Sequence, residues 1–379
     1  MSDQYQLAIP NLDHLSAIRG FFRSILDQES IQAILAPVTL SVKPAVMPTL
    51  LATADALDRC DPLSPAFPVN AARVVSRLSR KPIGGKIAVF LRPCEIRAFF
   101  ELVKLKQGNT EELILIGMDC PGAFRNTDFR RFVCSGDDPS GAFFFHRILE
   151  NAETFPGGVE LAEACRSCEH FLPDGADIAI GWIGLSDQNH WIISGRTPKG
   201  KELLQQLKLP ETTQPASREP ALSRLRDLRI QYRDRMFENT ASAVSSLQKL
   251  STYLAHCVNC YNCRVACPVC YCRECVFVTD VFDHDPDQVL RWSKRRGMVK
   301  LPPDTVFYHL TRLAHMSTAC VGCGQCSNAC PNDIPVMELF RMVAHGTQGV
   351  FDYQAGRRLE DPPPLSVFRE KEFPEAVGL

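Results

Sequence analysis

The spacing of apolar side chains divides the chain into two unlike parts. From residue 87 to residue 209, strand-like runs alternate with helix-like ones: IAVFL at 87 to 91, CEIRAFFELVKLKQ at 94 to 107, LILIGM at 113 to 118, DIAIGWI at 177 to 183, HWIIS at 190 to 194 and KGKELLQQLKL at 199 to 209. That alternation predicts an α/β domain over residues 1–209. Residues 210–220, PETTQPASREP, are proline-rich and polar and read as a linker, and a charged stretch of helical character continues to about residue 254, so 210–250 is expected to be linker and helix. Further on, VLRWSKRRGM and VFYHLTRLAHM again have helical apolar spacing, and the last twenty residues, with Pro362-Pro363-Pro364, read as irregular.

Cysteine changes this picture. Cys257, Cys260, Cys263 and Cys267 precede Pro268, and Cys320, Cys323, Cys326 and Cys330 precede Pro331. Both read C-x2-C-x2-C-x3-C-P, the bacterial ferredoxin run, in which three thiolates of one run hold a 4Fe-4S cluster and the fourth ligates the other cluster. The expected ligand sets are therefore Cys257, Cys260, Cys263 and Cys330 for cluster one, and Cys320, Cys323, Cys326 and Cys267 for cluster two. Residues 251–345 then form a helix-rich dicluster ferredoxin-like domain of α+β type, with a helical insertion at 276–319 and a C-terminal tail at 346–379. Thiolates suit zinc as well as iron-sulfur clusters. Structural zinc, however, usually takes two CxxC pairs separated by a longer loop, so two full runs ending in proline favour clusters and one-electron chemistry. The insertion's apolar stripes either pack on the cluster domain, the preferred reading, or offer a docking face; Lys294-Arg295-Arg296 reads as a solvated face.

Composition narrows the classes. The 379 residues suffice for two or three domains. The start, MSDQYQLAIPNLDHL, lacks the basic opening and apolar run of a secretory signal, and no stretch is long enough to cross a bilayer. The expected location is cytoplasmic, where the seventeen cysteines are ligands and thiols rather than disulfides. A formal net charge of -1 offers no basic surplus for nucleic acid. No G-x-G-x-x-G opens a helix, no P-loop occurs, and the nine histidines form no HExxH, which argues against a Rossmann NAD site and a histidine-metal active site.

Four cysteines of the first domain form a second pattern. Cys94 lies where IAVFLR meets a helix and Cys120 just after LILIGM. In a parallel sheet both would stand at the carboxyl edge, where ligands of open α/β sheets sit. A helix N-terminus would also favour the Cys94 thiolate. Cys165 and Cys168 form a CxxC pair, so the four are candidate ligands of a third 4Fe-4S cluster, although singly each reads as a core residue. Of the remaining five, Cys270, Cys272 and Cys275 lie in the dense run CPVCYCREC, either as candidate ligands of a fourth cluster or metal or as shielding around cluster two. Cys60 and Cys134 read as structural.

RPCEIRAFFELVKLKQ (92–107), IGMDCPG (116–122), CRSCEHFLPDGADIAIGWIG (165–184) and ISGRTPKGKELL (193–204) resemble the coenzyme F420 hydrogenase/dehydrogenase beta-subunit family. The likeness runs over roughly residues 50–209. HLTRLAHM with CVGCGQCSNACP is similar to the dicluster domain of the family's formate dehydrogenase-type members. The resemblance implies a flavin-bearing α/β domain in which FAD converts between two-electron and one-electron chemistry. It also implies a 4Fe-4S cluster on Cys94, Cys120, Cys165 and Cys168. The implied partners are a catalytic subunit of the formate dehydrogenase or hydrogenase alpha type and an electron donor or acceptor protein. Many family members place the ferredoxin module before this domain, whereas here it follows. The expected role is an iron-sulfur electron-transfer subunit passing electrons between a catalytic partner and a flavin or other carrier; the alternative is a self-contained flavin-dependent oxidoreductase of F420 or another organic carrier.

Overall fold

The computed structural model describes residues 3–40, 45–135, 138, 140–272 and 274–367, so the end of the expected irregular tail lies outside the described residues. The strands are β1 (Gln4–Ala8), β2 (Ile31–Thr39), β3 (Val46–Leu51), β4 (Lys86–Leu91), β5 (Leu113–Met118), β6 (Ile178–Gly181) and β7 (His190–Gly195). They form one sheet in the order β1-β7-β6-β5-β4-β2-β3. Neighbours β2, β4, β5 and β6 run parallel, while β3, β7 and β1 pair antiparallel at the two sides. The strands expected from the alternating region are thus β4 to β7. β5 is buried at every position and β4 at all but its first, as fits central strands covered on both faces.

The sheet half carries α1 (His14–Leu26), α2 (Ala72–Leu78), α3 (Pro93–Lys104), α4 (Asn126–Ser135), α5 (Gly141–Leu149), α6 (Glu163–Arg166) and α7 (Pro198–Leu207). Helix starts follow local chemistry. Asp13 caps α1 by accepting from the Ser16 amide, and α7 opens with Thr197 as cap and Pro198 in its first turn. One face of the sheet packs Phe21, Phe22, Phe145 and Trp191. The other face packs Phe99 and Val89 into a core that runs on through Tyr308, Leu313 and Phe340. The cluster half therefore shares a core with the sheet.

Between the halves run α8 (Arg218–Ala243) and α9 (Leu247–Tyr253), so the expected charged helix begins at Arg218 and breaks after residue 243. Helix α8 has no apolar stripe; its buried positions are Arg218, Leu222, Arg229, Met236 and Thr240. Charged contacts hold it instead. Arg218 donates through both terminal nitrogens to the buried Asp119, at 2.7 and 3.0 Å, and Arg233 pairs with Glu169 at 3.0 Å. A bidentate guanidinium–carboxylate pair fixes orientation as well as proximity.

The cluster half contributes α10 (Asn262–Ala266), α11 (Pro286–Arg296), α12 (Thr305–Met316), α13 (Gln325–Asn328) and α14 (Val336–Val350). After α14, at the start of what reads as a tail, the chain returns to the sheet half. There the Tyr353 hydroxyl (2.6 Å), the Gly356 amide (2.7 Å) and Lys104 Nζ (3.0 Å) all donate to the buried Glu101. Gly356 sits at φ 71°, and a Cβ there would stand 2.3 Å from the Arg97 carbonyl oxygen. Glycine is needed at this closure on both counts.

Candidate metal centre

The two ferredoxin-type runs build similar loops from different residues. In the second run, CVGCGQC, Gly322 and Gly324 take φ 70° and 80°; at the matching places of the first run, CVNCYNC, Asn259 and Tyr261 take φ 49° and 60°. Left-handed backbone at both positions turns the loop sharply between successive cysteines. Gly324 is further required by packing, since a Cβ would approach Ala164 of α6 to 2.6 Å. Tyr261 instead sets its ring edge-on to Tyr308, 5.0 Å between centroids.

The thiols gather in three places. Cys257 lies near Cys263 of its own run and Cys330 of the other; after burial, these neighbours push its thiol up. Cys260 of the first run is exposed. Cys326 is pushed well up by burial and then by Cys267, Cys320 and Cys323. At the sheet's carboxyl edge, Cys94 and Cys120 follow the parallel neighbours β4 and β5, and the segment before β6 brings Cys165 and Cys168 over the same edge. Burial, then Cys120 and Cys168, raise the Cys165 thiol to about 12. A cavity between the halves is lined by Cys94, Cys120, Cys165, Cys168 and Cys323. The helix start at α3 was expected to favour the Cys94 thiolate. Burial outweighs it, and with Cys323, Glu95, Cys120 and Cys168 nearby the thiol is driven well above its ordinary range.

The dense run spreads out. Cys270 lies near Cys267 and Cys272, and burial first, then Cys267, lift it to about 11. Cys275 stands by Tyr261 and Tyr308. Cys60 is fully buried beside Asp61 with its thiol raised to about 12, while Cys134 is exposed. Among the described residues, no three His, Cys, Asp or Glu side chains close around a single metal ion.

Side chains around the thiols fit an anionic iron-sulfur group. The buried stripe of α12 consists of Thr305, Tyr308, His309, Arg312, Leu313 and Met316. Three of its members reach sulfur: His309 Nε2 lies 3.4 Å from Cys257 Sγ, the Tyr308 hydroxyl 3.5 Å from Cys263 Sγ, and Arg312 donates to Cys263 Sγ at 3.2 Å. Burial, with Arg312 nearby, lowers His309 to about 4, so its ring is neutral at pH 7. Arg312 Nε is buried with no partner. A buried guanidinium of this kind is satisfied by a negatively charged group in the space between the runs. Sequence reasoning missed these three residues, although an arginine on the buried stripe of an amphipathic helix was a readable signal.

The second run is also tied to the sheet half. Gln325 and Asn328 donate to the Phe67 carbonyl at 2.8 and 3.0 Å, and Arg97 donates to the Val321 and Ala355 carbonyls. Arg341 of α14 donates to Ser167 and pairs with Glu169, next to Cys168. Burial alone would raise Glu169, but Arg341, His170 and Arg233 hold it down to about 2.

A family model described as a 4Fe-4S dicluster domain matches residues 253–334, and one describing the C terminus of the coenzyme F420 hydrogenase/dehydrogenase beta subunit matches residues 149–216. The chain is 25% identical to the F420-dependent formate dehydrogenase subunit beta of Methanocaldococcus jannaschii, over 93% of this chain and 94% of the relative. It is 27% identical to the F420-dependent formate dehydrogenase 1 subunit beta of Methanococcus maripaludis, over 92% of each. The resemblance to the coenzyme F420 hydrogenase/dehydrogenase beta subunit read from the sequence is thus found again over residues 149–216 and in both of these relatives. The matched 4Fe-4S dicluster domain and the beta subunits among its relatives agree with the expected iron-sulfur electron-transfer role. A chain of the F420-reducing NiFe hydrogenase complex of Methanosarcina barkeri matches 65% of this chain and 93% of its own length at 14% identity, with a TM-score of 0.45, too loosely to bear on the argument. Among the described residues no helix is long and apolar enough to cross a membrane.

Proposed function

We propose that this beta-type protein carries three 4Fe-4S clusters in a row and relays electrons between a formate dehydrogenase-type catalytic partner and a flavin or other carrier. Cluster one takes Cys257, Cys260, Cys263 and Cys330; cluster two takes Cys320, Cys323, Cys326 and Cys267; the third takes Cys94, Cys120, Cys165 and Cys168. The observation that carries the reading is continuity. Cys323 faces both its own group and Cys94, so the sheet-edge thiols and the second run meet in one buried cavity. Clusters bound there would supply one-electron chemistry at potentials set by burial and by hydrogen bonds to sulfur.

The chain's own residues hold and shield the groups. α12 covers the first run, Gln325 and Asn328 dock the second on the Phe67 loop, and Arg341 fixes the segment carrying Cys168. The partner would dock on the insertion, where Val281, Leu290, Met298 and Leu301 are exposed beside Lys294, Arg295 and Arg296. Several exposed apolar side chains in a segment that also carries charge suit a protein interface.

Metal and flavin analysis of the anaerobically purified chain tests the reading. Iron and acid-labile sulfide equivalent to three clusters, with one-electron EPR signals on reduction, are expected. Two clusters' worth would remove the sheet-edge site, and none would overturn the reading. Stoichiometric flavin would place the junction to a two-electron carrier inside this protein; without flavin, that junction belongs to the partner.

A further inference from the structure

Helix α12 places one cation where the two ferredoxin-type runs meet. Arg312 is 4% exposed, and its terminal nitrogens donate to Cys263 Sγ and to the Cys263 carbonyl, both at 3.2 Å. Its guanidinium carbon lies 4.7 Å from the Phe340 ring centroid and 5.6 Å from that of Tyr308. The groups its charge meets most strongly are Cys263, Tyr308, Cys267 and Cys326, with no carboxylate among them. The same guanidinium lies within electrostatic reach of Cys267, Cys270, Cys320 and Cys326. A buried charge left unpaired is strongly destabilising, so this one needs a counter-charge, and the thiol groups of both runs are what surround it.

We propose that Arg312 is the shared counter-cation of clusters one and two and sets their reduction potentials together. The inference rests on the cluster assignment proposed above. One arriving electron makes either site one charge more negative, and a cation already in place stabilises that state without a proton moving or a bond breaking. Because one guanidinium serves both sites, neutralising it shifts both in the same direction. The third site, whose nearest guanidiniums include Arg92, Arg97 and Arg229, keeps its own.

The test is an EPR-monitored redox titration of the full chain, purified anaerobically, as wild type, Arg312→Gln and Arg312→Lys, after iron and sulfide have been counted. At the wild-type midpoint, the glutamine variant is expected to lower the reduced-to-oxidised ratio of clusters one and two about tenfold, about 59 mV for one electron. The third signal stays in place, and the lysine variant stays within about threefold of wild type. A ratio change below threefold in the glutamine variant, an equal shift of the third signal, or a lysine variant as low as the glutamine one overturns the proposal. Should Arg312→Gln fail to load, Arg312→Lys decides: loading with near-wild-type ratios upholds the role of charge, and failure to load refutes it. Wild-type protein without iron would sink the cluster reading itself, whereas loaded protein with unmoved potentials sinks only the role of Arg312.

Discussion

Among the described residues of the sheet half, 3–209, the exposed large apolar side chains are Leu12, Leu40, Met47 and Leu50. Between residues 258 and 310 they crowd together: Val258, Val265, Tyr271, Val276, Val278, Val281, Leu290, Met298, Leu301, Phe307 and Leu310. The first region buries its apolar surface against its own helices on one face of the sheet and in a core shared with the cluster half on the other. The second keeps much of its apolar surface outside and gathers polar and sulfur atoms inside. The contrast teaches that the sheet half is stabilised by burial that the chain supplies alone, while the cluster half depends on what it binds, as small metal-organised domains do.

Stripping iron with an anaerobic chelator is the harshest way to break that comparison. Limited proteolysis should then cut between residues 255 and 300 at least about tenfold faster while a fragment covering the sheet half survives, because metal binding contributes folding free energy directly; equal loss of both halves would erase the distinction. Single ligands sharpen it. Cys326→Ala should lose the iron of one cluster and leave the sheet half folded, and Cys165→Ala should lose another cluster's worth; unchanged iron in either variant removes that residue from the ligand set. Next comes the closure on Glu101, whose Lys104 partner has only 2% of its side chain exposed. Glu101→Ala leaves an uncompensated buried ammonium and should cost about 3–5 kcal/mol by denaturant titration.

Glu169 gives a smaller, pH-dependent effect. Its folded value of about 2 lies below its ordinary 4.5, so its stabilisation is present above the unfolded value and is lost as pH falls from about 4.5 through about 2. Glu169→Gln should remove on the order of 3 kcal/mol at pH 7 and flatten the acid limb of the stability curve, by the usual conversion of a pKa shift to free energy. An unaltered limb would show that Arg341 and Arg233 do not stabilise it. Smallest of all, Val281→Ser at a 66% exposed position should change stability by no more than about 0.5 kcal/mol. A larger loss would mean the insertion's outer face serves its own fold.

Legibility in the sequence followed the length scale of the signal. β4, β5, β6 and β7 with α3 and α7 were readable because each buries a run long enough to show its period. β2 and β3 were not, since prolines at positions 37 and 48 interrupt runs that pair antiparallel with each other. The antiparallel turn of β7, which ends the parallel order, leaves no mark in the apolar pattern either. Cysteine spacing speaks for the ligand types but not for the covering side chains. Tyr308, His309 and Arg312 come from a helix about fifty residues from the cysteines they touch, a separation that no local pattern encodes.

The return of residues 351–357 to Glu101 has a consequence for synthesis. A ribosome making this chain releases β4, α3 and β5 more than two hundred residues before Tyr353 and Gly356 exist. Until those last residues emerge, Glu101 and Lys104 face the space that they will fill, and Arg97 lacks the carbonyls of Val321 and Ala355. Domains that fold as they are made are ordinarily complete at their own end. Here the first half to be made is the last to be sealed, which leaves the sheet-edge thiols uncovered by the second run while the cysteines of both runs are still being delivered.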